Sequence, residues 1–392
     1  MKFLGRLKLS QKLGLLVAVL ILPMVVVGTM YVREASADVS RLESEHAGSD
    51  YLRALGDVAD DLSVHRGRAN VMLSGDASRR QAVLQAQSML EEHAAVVDKL
   101  DAKHGAAFGS SAKWQSIKSD WASIKSRLES LPAREALLAQ RALLEKIFDL
   151  RAAVAMESGL ALDADFATYA LIQIASYNMS DLTEQFDRAR NLSVAAAPRG
   201  SVPEGDKAIA RMNGEAAKGT VEAMEGFLAV VAESDPAAAQ KLAPLLATTK
   251  AATSSYMQFL ESSVWQPERF ALDAGKIYDA GAALSGSLTP LLGAAYDQVV
   301  ESIEVRVSAE TRARNLLLAL VAAALAVALT LSWLVTRSLT KPMGHVIELF
   351  GAIAQGKYDN AVQVSGTDEV GQVLTALEDT QSKLRAQIEA ER

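Results

Sequence analysis

The sequence predicts an all-α protein in which two transmembrane helices flank a tandem pair of four-helix bundles, and three observations predict it. Half of the 392 residues are apolar yet only 5% are aromatic, an alanine-heavy balance that favours helices. Apolar residues recur three and four apart along most of the chain, which is the spacing of a helix face rather than a strand. Leu13 to Val32 and Asn315 to Val335 are runs of twenty and twenty-one residues without a charge, each long enough to cross about 30 Å of hydrocarbon.

Composition also excludes several chemistries. The chain has no cysteine, hence no disulfide framework, thiolate nucleophile or cysteine-based zinc site. A formal charge of -7, with no basic run interleaved with aromatics, argues against a nucleic-acid surface. His46, His65, His93, His104 and His345 include no pair at metal-ligand spacing, and no phosphate-cradling glycine loop or nucleophile elbow occurs. The expectation is a protein that is not an enzyme and needs neither metal nor cofactor.

Residues 1–12 form a basic tail with Lys2, Arg6, Lys8 and Lys12 and no acid, which places the N-terminus in the cytoplasm. The span at 13–32 follows. A cleaved signal peptide is the alternative, because Ala35-Ser36-Ala37 imitates a cleavage site, but the apolar run exceeds an ordinary signal core and Arg33-Glu34 intervene.

Residues 33–314 then lie outside the cytoplasm and read as helix almost throughout. Seams run through Tyr51, Leu55, Val58, Leu62, His65, Ala69 and Met72; through Trp114, Ile117, Trp121, Ile124 and Leu128; and through Ile172, Ala175, Met179, Leu182, Phe186 and Ala189. Breaks fall at Gly75-Asp76, Gly105 to Gly109, Leu131-Pro132, Asp163 to Asp165, Pro198 to Gly205, Asp235-Pro236 and Gln266-Pro267. About eight helices result, enough for two four-helix bundles end to end, with a kink expected near Pro290. The second span, 315–335, ends with Trp333, an interfacial anchor, ahead of Arg337.

Residues 336–389 read as two short amphipathic helices and an extended connector, and 390–392 as the start of a further helix. The first stripe is Leu339, Met343, Val346, Phe350 and Ile353; the second is Val370, Val373, Leu377, Thr380 and Leu384, with Tyr358, Val362 and Val364 positioned to pack the connector. Two narrow stripes in one chain lack a third layer, and a parallel four-helix bundle made by two copies supplies it. Pro342, the Ile353-Ala354 step with Gly356, and Asp368-Glu369-Val370-Gly371 resemble the HAMP linker of bacterial membrane receptors across about fifty residues. Thr380, where the family carries a large apolar residue, and Gly344 inside the first helix depart from the pattern. The resemblance implies a homodimeric coiled coil that switches between two packings, with Pro342, Gly356, Asp368, Glu369 and Gly371 at its joints.

One constellation outside the spans carries binding chemistry. His65, Arg66, Arg68 and Asn70, with Arg188, Arg190 and Asn191, sit on or beside helix seams. A planar guanidinium near a bundle interior grips a small planar anion or pairs with a carboxylate. Two readings stay open: a pocket for a small anion such as an organic acid or nitrate, or internal ion pairing with Asp61, Glu184 and Asp187 or simple solvation. The stretch from Asp61 to Asn70 weakly echoes that from Asp181 to Asn191. With LALDADFATYALIQIASYNMSDL between them, both are similar to the all-helical nitrate-sensing and bimodular input domains of bacterial chemoreceptors and sensor kinases.

These resemblances imply a multi-pass protein of the bacterial inner membrane, embedded in lipid, with a periplasmic sensor and a cytoplasmic output or kinase-coupling complex reached through the C-terminal side. The exit LRAQIEAER resembles that of methyl-accepting chemotaxis receptors. A histidine kinase, a diguanylate cyclase, or an accessory membrane protein without output are the alternatives.

Overall fold

A computed structural model of the chain describes residues 7–357, 359–364 and 366–390. Tyr358, Lys2, Arg6 and residues 391–392 lie outside the described residues. The chain divides into two compact units, one of residues 38–309 and one of residues 1–37 with 310–392.

Ten helices build residues 38–309: the second part of α1 (Leu9–Leu73), then α2 (Arg80–Phe108), α3 (Ser111–Arg127), α4 (Ala133–Ser158), α5 (Phe166–Ile172), α6 (Met179–Ala196), α7 (Glu204–Ser234), α8 (Pro236–Leu260), α9 (Ala274–Asp279) and the start of α10 (Ala282–Ala354). No strand occurs among the described residues. The predicted breaks fall between helices, although Gly105 itself lies inside α2, which ends at Phe108. The Asp165, Asp235 and Asp273 side chains accept from the free amides at the starts of α5, α8 and α9, which is the standard N-cap arrangement. Helices α2 to α4 pack among themselves, and α5, α6, α7 and α8 do likewise. The two groups share one continuous apolar core that takes in Tyr51, Trp114, Trp121, Phe186, Trp265 and Tyr296. All members of the three predicted sensor seams are buried except Met72, which is half-buried.

Two features were not foreseen. Helices α5 and α6 are joined by a π-helical turn at Gln173–Asn178, and α8 ends in another at Glu261–Trp265. Such turns widen the helix and release a carbonyl from its ordinary partner. Pro290 lies within α10, which continues past it.

Helix α1 approaches the end of α4 closely because Gly48 has no side chain. A Cβ placed there would lie 2.3 Å from both Cβ and Oγ of Ser158. Gly48→Ala should therefore cost about 1–3 kcal/mol by overpacking, read as a lower denaturant midpoint; an unchanged midpoint would show that the crossing has slack.

In the second unit, α1 and α10 each carry an apolar stretch long enough to cross a membrane, and neither stretch is buried by protein. Leu16, Leu20, Leu22, Leu316, Leu320 and Leu329 all point outward, as lipid-facing residues do. Gly28 lets the two stretches approach, with its added Cβ only 3.3 Å from Val321 Cγ1. The Arg337 guanidinium lies 5.1 Å above the Trp333 ring. Helix α10 passes through Pro342 without a break, so the predicted first linker helix is the end of a longer one. Gly356 then adopts φ +83 and stops it. After the connector, α11 runs Glu369–Ala390.

Candidate functional site

The predicted cationic residues divide between two faces of α1. His65 turns toward α2 and α4: its Nδ1 lies 2.6 Å from Gln140 Oε1 and its Nε2 3.3 Å from Gln87. Burial pushes the imidazole down to about 4, so the ring is neutral at ordinary pH and does not belong with the arginines. Arg66 faces the other way, toward α6. It is 1% exposed and donates to Asp187 at 2.7 Å and Glu184 at 3.0 Å. Arg190 donates to the other Asp187 oxygen and to Ser285 Oγ, and its guanidinium lies 4.4 Å from the Phe186 centroid and 4.5 Å from that of Tyr278. Asn70 Nδ2 donates to the Asn191 carbonyl at 3.1 Å.

The two echoing stretches thus pack on one another, and the arginines form internal ion pairs with Glu184 and Asp187, whereas Asp61, also expected among their partners, lies 2.6 Å from His93 Nδ1 on α2 instead. Removing either side chain of such a pair leaves a buried charge. Arg68 is apart, donating to the Ala82 carbonyl on α2 at 3.0 Å, and Arg188 is half-buried with Nε 4.0 Å from Glu184.

Charged residues at other buried seam positions were missed. Arg151 follows Ile147 by four and precedes Val154 by three, a seam position. It is 4% exposed and donates to Ser180 Oγ, to the Ala175 carbonyl at 3.1 Å and to Tyr296 Oη at 3.0 Å. Ala175 lies within the π-helical turn of Gln173–Asn178. Glu45 on α1 is buried at a seam in the same way, and Arg306 on α10 is half-buried beside it. The signal was present, since a charge three or four from apolar seam members has nowhere to go but inward.

The linker carries its own small core of Val346 and Leu349 from α10 and Leu374 and Leu377 from α11, with Ile353 and Val362 packed against it. Within one copy, this core differs by one position in places from the stripes predicted for a bundle of two copies. Phe350 is 53% exposed and Val373 43%, while Leu349 and Leu374 take the inner places. Thr380 is exposed and Gln381 buried, its Nε2 donating to the Asn360 carbonyl at 2.7 Å. Leu339, Met343 and Leu384 are half-buried, Val370 is buried, and Val364 is exposed. The physical reason is that adjacent helix positions differ by about 100°. Strict seam spacing finds the mean of a stripe and not which of two adjacent residues meets the helix of the same chain.

The joints have clear causes. Asp368 Oδ1 accepts from the Gly371 amide at 2.9 Å and caps α11 ahead of Glu369. Gly371 is required because a Cβ there would fall 2.1 Å from the Gly366 carbonyl oxygen.

Residues 334–386 match the HAMP domain family. A HAMP domain next to an apolar helix marks this membrane protein as a signal-relay receptor. The solved structure of the NasR transcription antiterminator is similar in fold, with a TM-score of 0.56 over 93% of this chain and 99% of that one, at 14% identity. At that identity the likeness concerns the helical fold alone. No curated protein matches the chain.

Proposed function

We propose that the chain is a homodimeric receptor of the bacterial inner membrane that senses a periplasmic small solute and relays a conformational change to a cytoplasmic chemotaxis output, without catalysis of its own. The observation that carries this reading is that one helix, α10, holds residues of the sensor core, the second apolar run and the first HAMP helix. A solute that binds one arrangement of the sensor helices better than another shifts the equilibrium between them. A displacement of α10 is then felt directly by the small HAMP core, whose four buried residues leave room for two packings. Exposed Ile347, Phe350 and Val373 form an apolar face beside that core, and a second copy would cover it.

Because the chain lacks cysteine, single cysteines report topology cleanly. A membrane-impermeant maleimide should label Gly226→Cys in intact spheroplasts and Gln363→Cys only after permeabilisation. The opposite pattern would sink the periplasmic assignment. Phe350→Cys should form disulfide-linked dimers in native membranes, and their absence under oxidation would count against the homodimer. Deleting the gene should remove a tactic response on swim plates; intact taxis with altered transcription or cyclic-dinucleotide level would favour a kinase or cyclase output.

A further inference from the structure

Among the described residues, Glu45 and Asp163 are two buried carboxyls served at close range by one guanidinium. Glu45, on α1, is 3% exposed, and Asp163, at the corner between α4 and α5, is 9% exposed. Arg306 on α10 grips Asp163 through both ends, Nη1 to Oδ1 at 2.8 Å and Nη2 to Oδ2 at 2.6 Å. The same guanidinium reaches Glu45 Oε2 only at 3.6 Å, beyond hydrogen-bond distance, and that oxygen is buried without a hydrogen-bond partner. The other groups around this cluster do not resolve the mismatch. Asp163 Oδ1 also accepts from the Asp165 amide at 2.8 Å, and Thr168 Oγ1 lies 3.5 Å from Arg306. On α1, Arg41 is engaged with Asp38 at 3.4 Å, and His46 lies 3.5 Å from Glu304 of α10 and 3.7 Å from Asp50. Both carboxylates ionised would therefore share one cation, with one oxygen left bare.

We propose that Glu45 is a proton-binding site of the sensor, so that the proton itself is a signal the receptor takes, with occupancy setting how α1 and the Asp163 corner pack against α10. This deepens the receptor reading and rests on it for its physiological meaning.

Geometry and electrostatics agree. Burial first, and then the charge of Asp163, push the Glu45 carboxyl up to about 7, against the opposing pull of Arg306 and Arg41. A protonated Glu45 is neutral and can donate to Asp163, leaving Arg306 wholly to Asp163. Loss of that proton to water places a second carboxylate in a site with one guanidinium and favours separation of the helices. The sign follows from linkage. A carboxyl whose folded-state value is raised stabilises the packed form below its ordinary value near 4.5, and that contribution is lost as pH rises through about 7.

The test uses the full chain in lipid nanodiscs, spin-labelled at Ser40→Cys and Val305→Cys and diluted with unlabelled chain. The α1 to α10 distance distribution should shift between pH 5.5 and 8.5 with a midpoint near 7. Glu45→Gln should hold the acidic distribution throughout, and Glu45→Asp should retain a transition with a moved midpoint. His46→Gln should respond as the wild type does, as should Asp60→Asn, which removes another carboxyl that burial pushes up to about 6. A wild-type distribution indifferent to pH overturns the proposal, as does a Glu45→Gln variant that titrates unchanged or a His46→Gln variant that no longer responds. The readout lies within residues 38–309, so a flat result leaves the HAMP relay untouched. A shift here without any change in Phe350→Cys crosslinking would sink the relay instead.

Discussion

Asp187→Ala should destabilise residues 38–309 by about 3–5 kcal/mol, the expected cost of removing one partner from a buried ion cluster, read as the denaturant midpoint of the helical signal. Asp187 is 1% exposed and its two oxygens serve Arg66 and Arg190, themselves 1% and 3% exposed. Without it Arg66 keeps Glu184 and Arg190 keeps only Ser285 among hydrogen-bond acceptors. The guanidiniums cannot reach water without parting α1 from α6. The sharper half of the expectation is rescue. Replacing the set together, as Arg66→Met, Asp187→Leu and Arg190→Met, should recover most of the loss, because apolar side chains of similar volume carry no desolvation cost. A loss below about 1 kcal/mol for Asp187→Ala, the range of exposed pairs, would show that the cluster is solvated.

Leu374→Asp should uncouple the linker completely while leaving the sensor melt unchanged. The HAMP core within one copy consists of Val346, Leu349, Leu374 and Leu377, with Leu374 1% exposed. A carboxylate placed there has no buried cation within that core, so its burial costs several kcal/mol on top of the roughly 1.5–3 kcal/mol that Leu374 itself contributes to a core of only four aliphatic side chains. Residues from Gly356 onward should become sensitive to protease, and Phe350→Cys crosslinking should lose any response to the sensor. The sensor is a separate compact unit, so a shift in its own melt would contradict this picture.

Residues that occupy seam positions were legible wherever their character matched their place. Leu55, Leu62, Trp114, Leu182 and Phe186 are all buried as their spacing requires, because periodicity is a property of one helix and needs no knowledge of its neighbours. Arg66 and Arg190 were legible as a pair of unusual cations, but their partner was not. The choice between a solute anion and Asp187 depends on the rotation of α6 about its own axis, which the core settles. His65 was grouped with them by sequence proximity, although consecutive helix positions point about 100° apart and send it to Gln140 and Gln87. Glu45, Arg151 and Arg306 each stand at an apolar spacing, but their partners lie on helices far away in the chain.

By itself, the sequence determined the helical class, the two apolar crossings, the turns and the HAMP unit, because charge-free length, helical period, capping aspartates and a glycine-bearing junction are local properties. Only the tertiary structure decided that the two helical groups share one core, that Asp187 pairs with both Arg66 and Arg190, that Leu349 and Leu374 rather than Phe350 and Val373 meet within one copy, and that Glu45 meets Asp163 and Arg306. Each of these joins residues from helices far apart in the chain. Their meeting is fixed by how whole helices pack and rotate against one another, a balance that no single stretch contains.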